Sequence, residues 1–367
     1  MNLQEIQSAL KSPDEETRRS ALPELRRFSL CDTCPQIFTA MGDASWRVRK
    51  EAVELFVGSS PDARRIGDAL ELLRNEENAG LRNSAAEALI RFGSLAAVPL
   101  INHVKDPDPD VRKVVVDVMG AIADPLFVPQ LRDALHDPDI NVASAAAEQL
   151  GSLGDPRVIP ELLLAMNSQD NMLFRFSVLG ALSVLAAPAP VPAELLELAG
   201  QKMLRRAVFD CLGSISDDGS VPLLLDGLAD PQGSCRAAAL KALFKIHRRS
   251  GGAVRQRMKN SLLALKGSAV VPLLCEIHVN HDVILTEAFI WFSAATEDDR
   301  LLPMLIDASS DERYAKDALD ALKKFGHEAL AGLVSRYSTL DENRRSVLCS
   351  LIGKCGYATY ADLVESS

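Results

Sequence analysis

Aromatic residues are scarce in this chain: they make up 5% of 367 residues, with two Trp and four Tyr. Ala and Leu dominate instead, and both favour helix. The six histidines are spread along the chain, so a catalytic triad has no visible home. The seven cysteines are odd in number and scattered, which argues against a disulfide framework and points to a reducing, cytoplasmic setting. The opening MNLQEIQSALKSPDEE holds no apolar core of signal-peptide length, and no secretion signal is expected. Residues 176–193 carry no charge, but Pro188, Pro190 and Pro192 break the last third and Gly180 and Ser183 dilute the rest. That run reads as a buried helix followed by a turn rather than a membrane span. Positive charge is in deficit, with a net of -10, which disfavours phosphate backbones as general partners.

Motifs that would carry chemistry are equally sparse. No G-x-G-x-x-G, P-loop or G-x-S-x-G occurs. His327 opens HEALA, so the metalloprotease pattern H-E-x-x-H fails at Ala331. Asp106, Asp108, Asp110 and Asp117 mimic a calcium loop, but Val111 stands where the loop requires Gly, and an inter-helix turn explains them better. Cys31 and Cys34 form a lone C-x-x-C, expected in a loop, with no second pair nearby; a closed zinc site needs four ligands. Cys275, His278 and His281, at offsets of three, are expected on one helical face. Only three ligands, with no nearby acid except Glu276 and Asp282, make this a weak metal constellation. No metal, no cofactor and no enzymatic activity are therefore expected.

What the chain does have is recurrence. VPLINHVKDPDPDVRKVVVDVMGAIADP starts at Val98, VPQLRDALHDPDINVASAAAEQLGSLGDP at Val128, and VPLLLDGLADPQGSCRAAALKALFKI at Val221. The marker prolines Pro99, Pro129, Pro160, Pro192, Pro222, Pro272 and Pro303 are separated by 30, 31, 32, 30, 50 and 31 residues. A fixed period of this size means stacked supersecondary units. Proline suits the first turn of a first helix. An Asp-Pro-Asp turn ends that helix and caps a second one with apolar residues at helical spacing. About eleven such units are expected, as one solenoid over residues 1–367 with an inserted basic segment at 250–268.

DPDPDVRKVVVDVMGAIADP, HDPDINVASAAAEQLGSLGDP and their copies resemble the HEAT-repeat family, and more narrowly the short HEAT-like repeats first named from phycobilisome lyases. The resemblance implies an all-α fold, an α-α superhelix whose second helices line the concave side. It implies that Arg112 and its counterparts Arg49, Arg82, Arg175, Arg205 and Arg236 bridge to the turn aspartate of a neighbouring unit. Ala143 and Leu285 occupy that position without an Arg. It further suggests a bacterial accessory scaffold in a signalling assembly. The bilin-lyase activity of some relatives does not carry over, because repeat consensus residues do not specify it. Metal hydroxylases of this type need several His-Glu pairs, and alkylbase glycosylases need a basic groove.

Within each second helix, three positions at offsets 0, 1 and 4 share one face and should look into the concavity: Lys113, Val114 and Asp117 in one unit, Phe176, Ser177 and Gly180 in another. The final position is Glu54, Glu87, Asp117, Glu148 or Asp210 elsewhere, a carboxylate stripe interrupted at Gly180. Phe176 beside that gap predicts an apolar notch for a partner protein or peptide, centred on Met172, Phe176, Ser177, Gly180, Arg206 and Asp210 and flanked by Glu148 and Asp117. The second anomaly is the 50-residue gap. Residues 241–266 hold eight Lys or Arg and no acid. Gly251 and Gly252 should end one helix, and AVRQRMKNSLLAL reads as another. Lys241, Lys245, Arg248, Arg249, Arg255, Arg257 and Lys259 thus form a candidate docking patch for an acidic surface or a phosphate group, or a solvated face balancing acidic neighbours. The alternatives to a scaffold are a lyase- or chaperone-like protein acting on a chromophore-bearing protein, and a weak nucleic-acid binder through 241–266. Oligomeric state is left open.

Overall fold

A computed structural model describes residues 1–58, 63–277, 282–309 and 311–325, with Glu342 and Arg345. The expected C-terminal repeat LAGLVSRYSTLDENRRSVLCSLIGKCG, together with His278, His281, His327, Cys349 and Cys355, lies outside the described residues. Among the described residues every regular element is an α-helix or a 3-10 turn. They divide into two compact units, 1–185 and 186–367.

The first unit alternates short first helices with longer second helices. Ala97–His103 precedes Pro109–Ile122, Val128–Ala134 precedes Ile140–Leu153, and Ile159–Ser168 precedes Met172–Leu185. Each Asp-Pro-Asp turn divides its work between its two aspartates. The second caps the coming helix: Asp108 accepts from the Asp110 N–H at 2.9 Å, and Asp139 from the Asn141 N–H at 2.8 Å. Such a cap satisfies amides the helix cannot. The first aspartate folds the turn, as Asp106 does by accepting from the Asp108 N–H at 3.0 Å and Asp137 from the Asp139 N–H at 2.8 Å.

That first aspartate also receives an arginine from the preceding unit. Arg112 donates through Nε and Nη2 to the two carboxylate oxygens of Asp137, both at 2.8 Å, and through Nη1 to the carbonyls of Asp106 and Pro107. One guanidinium therefore closes its own turn and clamps the next. Arg18 repeats the arrangement on Asp43, and Arg74 pairs with Asp106. The expected ladder is incomplete. Arg49 and Arg82 reach only the carbonyls of their own turns. The residue 25 positions beyond Arg49 is Arg74, which cannot accept, and Asp106 is already held by Arg74 before Arg82 could use it. Arg175 pairs with Asp170 in its own turn at 2.7 Å.

Second helices lie against one another through small residues. A Cβ built on Gly151 would sit 2.6 Å from the Cα of Ala181, closer than any real side chain sits. The core between helices is apolar, with Val142, Ala146, Leu150, Phe174, Val178 and Leu182 fully buried. The charge-free run starts inside helix Met172–Leu185 and leaves it at Ala186, whose φ is 47°. Among the described residues one stretch, Ala79–His103, is long and apolar enough by composition to cross a membrane; it is broken at Gly93, whose φ is 58°. Cys34 belongs to helix Leu30–Met41, not to a loop, because Ser29 and the Asp32 side chain hydrogen-bonded to it start the helix ahead of the cysteine.

The second unit follows the same plan. Helix Arg205–Ile215 packs on Gly233–Arg249, and a Cβ on Gly213 would sit 2.8 Å from the Cα of Ala242. Arg205 bonds Asp230 at 2.7 Å and the carbonyl of Ala199 at 2.6 Å. Arg236 bonds the carbonyls of Asp230 and Pro231 and pairs with Glu276 at 3.2 Å. Between Arg249 and Val270 the chain inserts helix Gly252–Leu263. The insertion is fastened at its far end by Asp298, which accepts from the Gly267 N–H at 2.7 Å and from Arg300 Nη2 at 2.7 Å.

Two outcomes follow from these contacts. Arg112→Ala strips two turns of their shared donor and should cost about 2–3 kcal/mol in urea unfolding; Arg49→Ala, which breaks no carboxylate pair, should cost clearly less. The Arg300 guanidinium beside Asp298 holds its carboxyl down to about 2, helped by the Gly267 N–H and opposed by burial. An ordinary unfolded aspartate titrates near 3.9, so this contribution is complete above about pH 4 and is lost as pH falls towards 2. The urea midpoint of Asp298→Asn should lie below that of the parent at pH 6, and the gap should shrink at pH 3.

Candidate functional site

Helix Met172–Leu185 buries Phe174, Ser177, Val178, Leu179, Ala181, Leu182 and Leu185. The opposite edge is left to Leu173, Phe176, Gly180 and Val184, spaced 3, 4 and 4 residues apart, which keeps them on one face. Phe176 is 37% exposed, Leu173 52% and Val184 66%. A Cβ on Gly180 would meet nothing within 4 Å. The neighbouring helix Ile140–Leu153 contributes Glu148, Gly151 and Ser152, and together these walls enclose an open cavity of about 410 Å³.

The polar groups here are already paired. Ser177 is buried and its hydroxyl donates to Glu148 Oε1 at 2.8 Å. Along the same series of helices, Asp117 pairs with Lys113 at 2.7 Å and receives Gln149 Nε2 at 3.3 Å. Glu54 pairs with Arg91 at 2.8 Å, and that guanidinium lowers its carboxyl below the ordinary range. The carboxylate stripe is thus largely matched by cations and donors, and the notch beside it is apolar.

Of the residues singled out from sequence, Phe176, Ser177, Gly180 and Glu148 line this notch. Met172 is exposed at the start of the helix but is not part of the lining, and Asp117 stands two helices away. Arg206 and Asp210 belong to the second unit, where they form an ion pair at 3.8 Å on helix Arg205–Ile215. Burial pushes the Asp210 carboxyl up, against the pull of Lys241, Arg206 and Lys245. Leu173 and Val184 were missed by sequence reasoning. Both were detectable, since they lie 3 before Phe176 and 4 after Gly180 in an obvious helix.

The basic segment of the second unit is mostly engaged. Lys241 pairs with Asp282 at 3.1 Å, Arg248 with Glu287 at 3.3 Å, and Arg257 with Asp218. Arg249 donates to the carbonyls of Gly213, Ser214 and Ser216, capping the end of helix Arg205–Ile215, and Lys245 reaches Ser214 Oγ at 3.5 Å. Arg255 caps helix Gly233–Arg249 through the carbonyls of His247 and Arg248. Lys259 makes no hydrogen bond or ion pair with a described residue through its side chain. A further cavity of about 340 Å³ lies between helices Val283–Thr296 and Leu302–Ser309, walled by Phe289, Ile290, Met304 and Tyr314. No group of three or more His, Cys, Asp or Glu suited to a metal ion occurs among the described residues.

The two glycines of the notch should respond oppositely to the same change. Gly180→Ala adds a methyl to open space in a helix and should stabilise by up to about 1 kcal/mol. Gly151→Ala drives a methyl into the Ala181 backbone and should destabilise by about 1–3 kcal/mol. Thermal and urea unfolding of the two variants read both signs.

A family profile described as HEAT repeats matches residues 3–90 and 97–183. Comparison with curated proteins finds no match. Among solved structures, Kap121p bound to RanGTP shares 16% identity at a TM-score of 0.57, covering 99% of this chain and 46% of that one. Kap121p bound to Pho4p shares 15% identity at a TM-score of 0.56, with 99% and 46% covered. The chain thus spans less than half the length of these structures, and the likeness is one of fold. By that fold the chain is an all-α stack of helical hairpins.

Proposed function

We propose that this chain is a non-catalytic scaffold that holds a partner protein or peptide against the outward face of its second helices. The observation that carries this reading is the row Leu173, Phe176, Gly180 and Val184, an apolar notch among side chains that are otherwise paired. Of the other exposed apolar residues of the first unit, Leu95, Val98, Leu126 and Leu164 stand singly on first helices and turns, as surface apolar residues ordinarily do; Trp46 and Ile90 lie on second helices, where the Arg47 guanidinium covers the Trp46 ring. A notch in a rigid scaffold suits one bulky apolar side chain of a partner helix or strand, the usual form of an energetic anchor. Structural neighbours support the class of partner: Kap121p has been crystallised with RanGTP, Pho4p and Nup53p. The proposed setting is an accessory role in a bacterial, cytoplasmic signalling assembly.

The test compares wild type with Phe176→Asp and Gly180→Leu in affinity capture, with helical content and melting temperature measured in parallel. Phe176 is not core, so Phe176→Asp should keep its fold and melt within a few degrees of wild type. It should lose a stoichiometric partner by at least tenfold, the scale of one buried aromatic side chain. Gly180→Leu fills the notch and should lose the same partner. A folded Phe176→Asp variant that retains the partner in full contradicts the proposal.

A further inference from the structure

One pocket of the second unit sets three cations, Arg255, Lys259 and Lys324, around an aromatic wall. It encloses about 190 Å³ between helices Gly252–Leu263 and Val283–Thr296. Arg255, Gln256 and Lys259 line it from the first helix and Trp291 from the second; His247 enters from the end of Gly233–Arg249, and Lys324 follows helix Ala315–Leu322. No carboxylate is in the lining. The Trp291 ring lies 5.0 Å from the His247 ring and 5.8 Å from Phe244, which holds the indole in place.

Charge accounting separates this pocket from the rest of the basic segment. Lys241, Arg248 and Arg257 are each balanced by a carboxylate, and Arg249 by helix-end carbonyls. Lys259 and Lys324 form no side-chain hydrogen bond or ion pair with any described residue. Arg255 commits Nε and Nη2 to backbone carbonyls and keeps Nη1. The Nδ1 of His247 is buried without a partner. Burial, Arg255 and Lys324 all lower the affinity of that imidazole for a proton, so the cations are felt inside. Helix Gly252–Leu263 also begins here with Gly252 in the lining and no side chain capping its first amides. Gathering three like charges at one small cavity is unfavourable unless an anion offsets them.

We propose that this pocket binds a phosphoryl group, held by Arg255, Lys259 and Lys324 against the Trp291 face. The cavity is smaller than a drug-sized site and suits a single oxyanion with a short substituent. Three cations match a dianion with three terminal oxygens better than a carboxylate. The source is either a free phosphate compound or a phosphorylated side chain, and the chemistry at the pocket is the same for both. The proposal is independent of the Phe176 notch.

Trp291 supplies the reporter. The chain has two Trp, so Trp46→Phe leaves Trp291 as the sole indole. Titration of that protein at constant ionic strength should give a saturable fluorescence change with inorganic phosphate, O-phosphoserine or both, and only a small monotonic drift with chloride or acetate. The tighter of the two phosphoryl probes identifies the source. Lys259→Gln combined with Lys324→Gln should weaken the response at least tenfold. The same double variant should melt no lower than its parent in chloride buffer, because it removes repulsion, which keeps the comparison readable. A response absent for both phosphoryl probes, or matched by acetate, or unchanged in the double variant, overturns the proposal.

Discussion

Backbone contact between successive second helices is the constraint on which the rest of each unit depends. Gly151 against Ala181 in the first unit and Gly213 against Ala242 in the second leave no room for a methyl group. Helices that approach this closely are held in rotation as well as in distance, because only one stripe of each is small enough to touch. That rotation decides which residues of helix Met172–Leu185 are core and which are surface. Phe174 and Val178 go inward, and Phe176 and Gly180 go outward. An exposed phenylalanine is therefore a consequence of packing at Ala181 further along the helix, not of its own propensity.

The arginine clamps act on a different part of the same problem. Packing of small residues sets how close the helices come, while Arg112 on Asp137 and Arg205 on Asp230 set where one turn sits above the next. Each guanidinium satisfies backbone carbonyls of its own turn while pairing with the neighbour's carboxylate, so it spends most of its donors and leaves little charge for a partner. The same economy runs through the surface of both units. Carboxylates and cations that look available in sequence are largely paired, and what remains open is apolar in the first unit and cationic at one pocket in the second.

Fold class was legible because its signals are local. Asp-Pro-Asp turns, a proline in the first helical turn and apolar spacing at 3.6 residues each act within one repeat, and their recurrence about every thirty residues does the rest. The position of Phe176 on the surface was legible for the same reason. Leu173 and Val184 escaped because three positions were taken per helix where the exposed face holds four. Beyond the arginine clamps at Arg112 and Arg205, charge pairing was not legible. Lys241 and Asp282 are 41 residues apart, and Arg257 and Asp218 are 39; no periodicity announces such pairs. Lys324 joins the cationic pocket from a separate repeat, and nothing in its neighbourhood marks it. The short run containing Cys31 and Cys34 misled in the opposite direction, since the first turn of a helix reads much like a loop until the helix is seen.

The claim that matters most is that the second-helix face, and not the first-helix face, receives the partner. A photo-crosslinking residue placed at Phe176 tests it against the same residue at Leu164, which is 70% exposed on first helix Ile159–Ser168. Crosslinking to one defined protein from position 176 and none from 164 is the result this account predicts. Equal crosslinking from both positions, or a defined product from 164 alone, would contradict it.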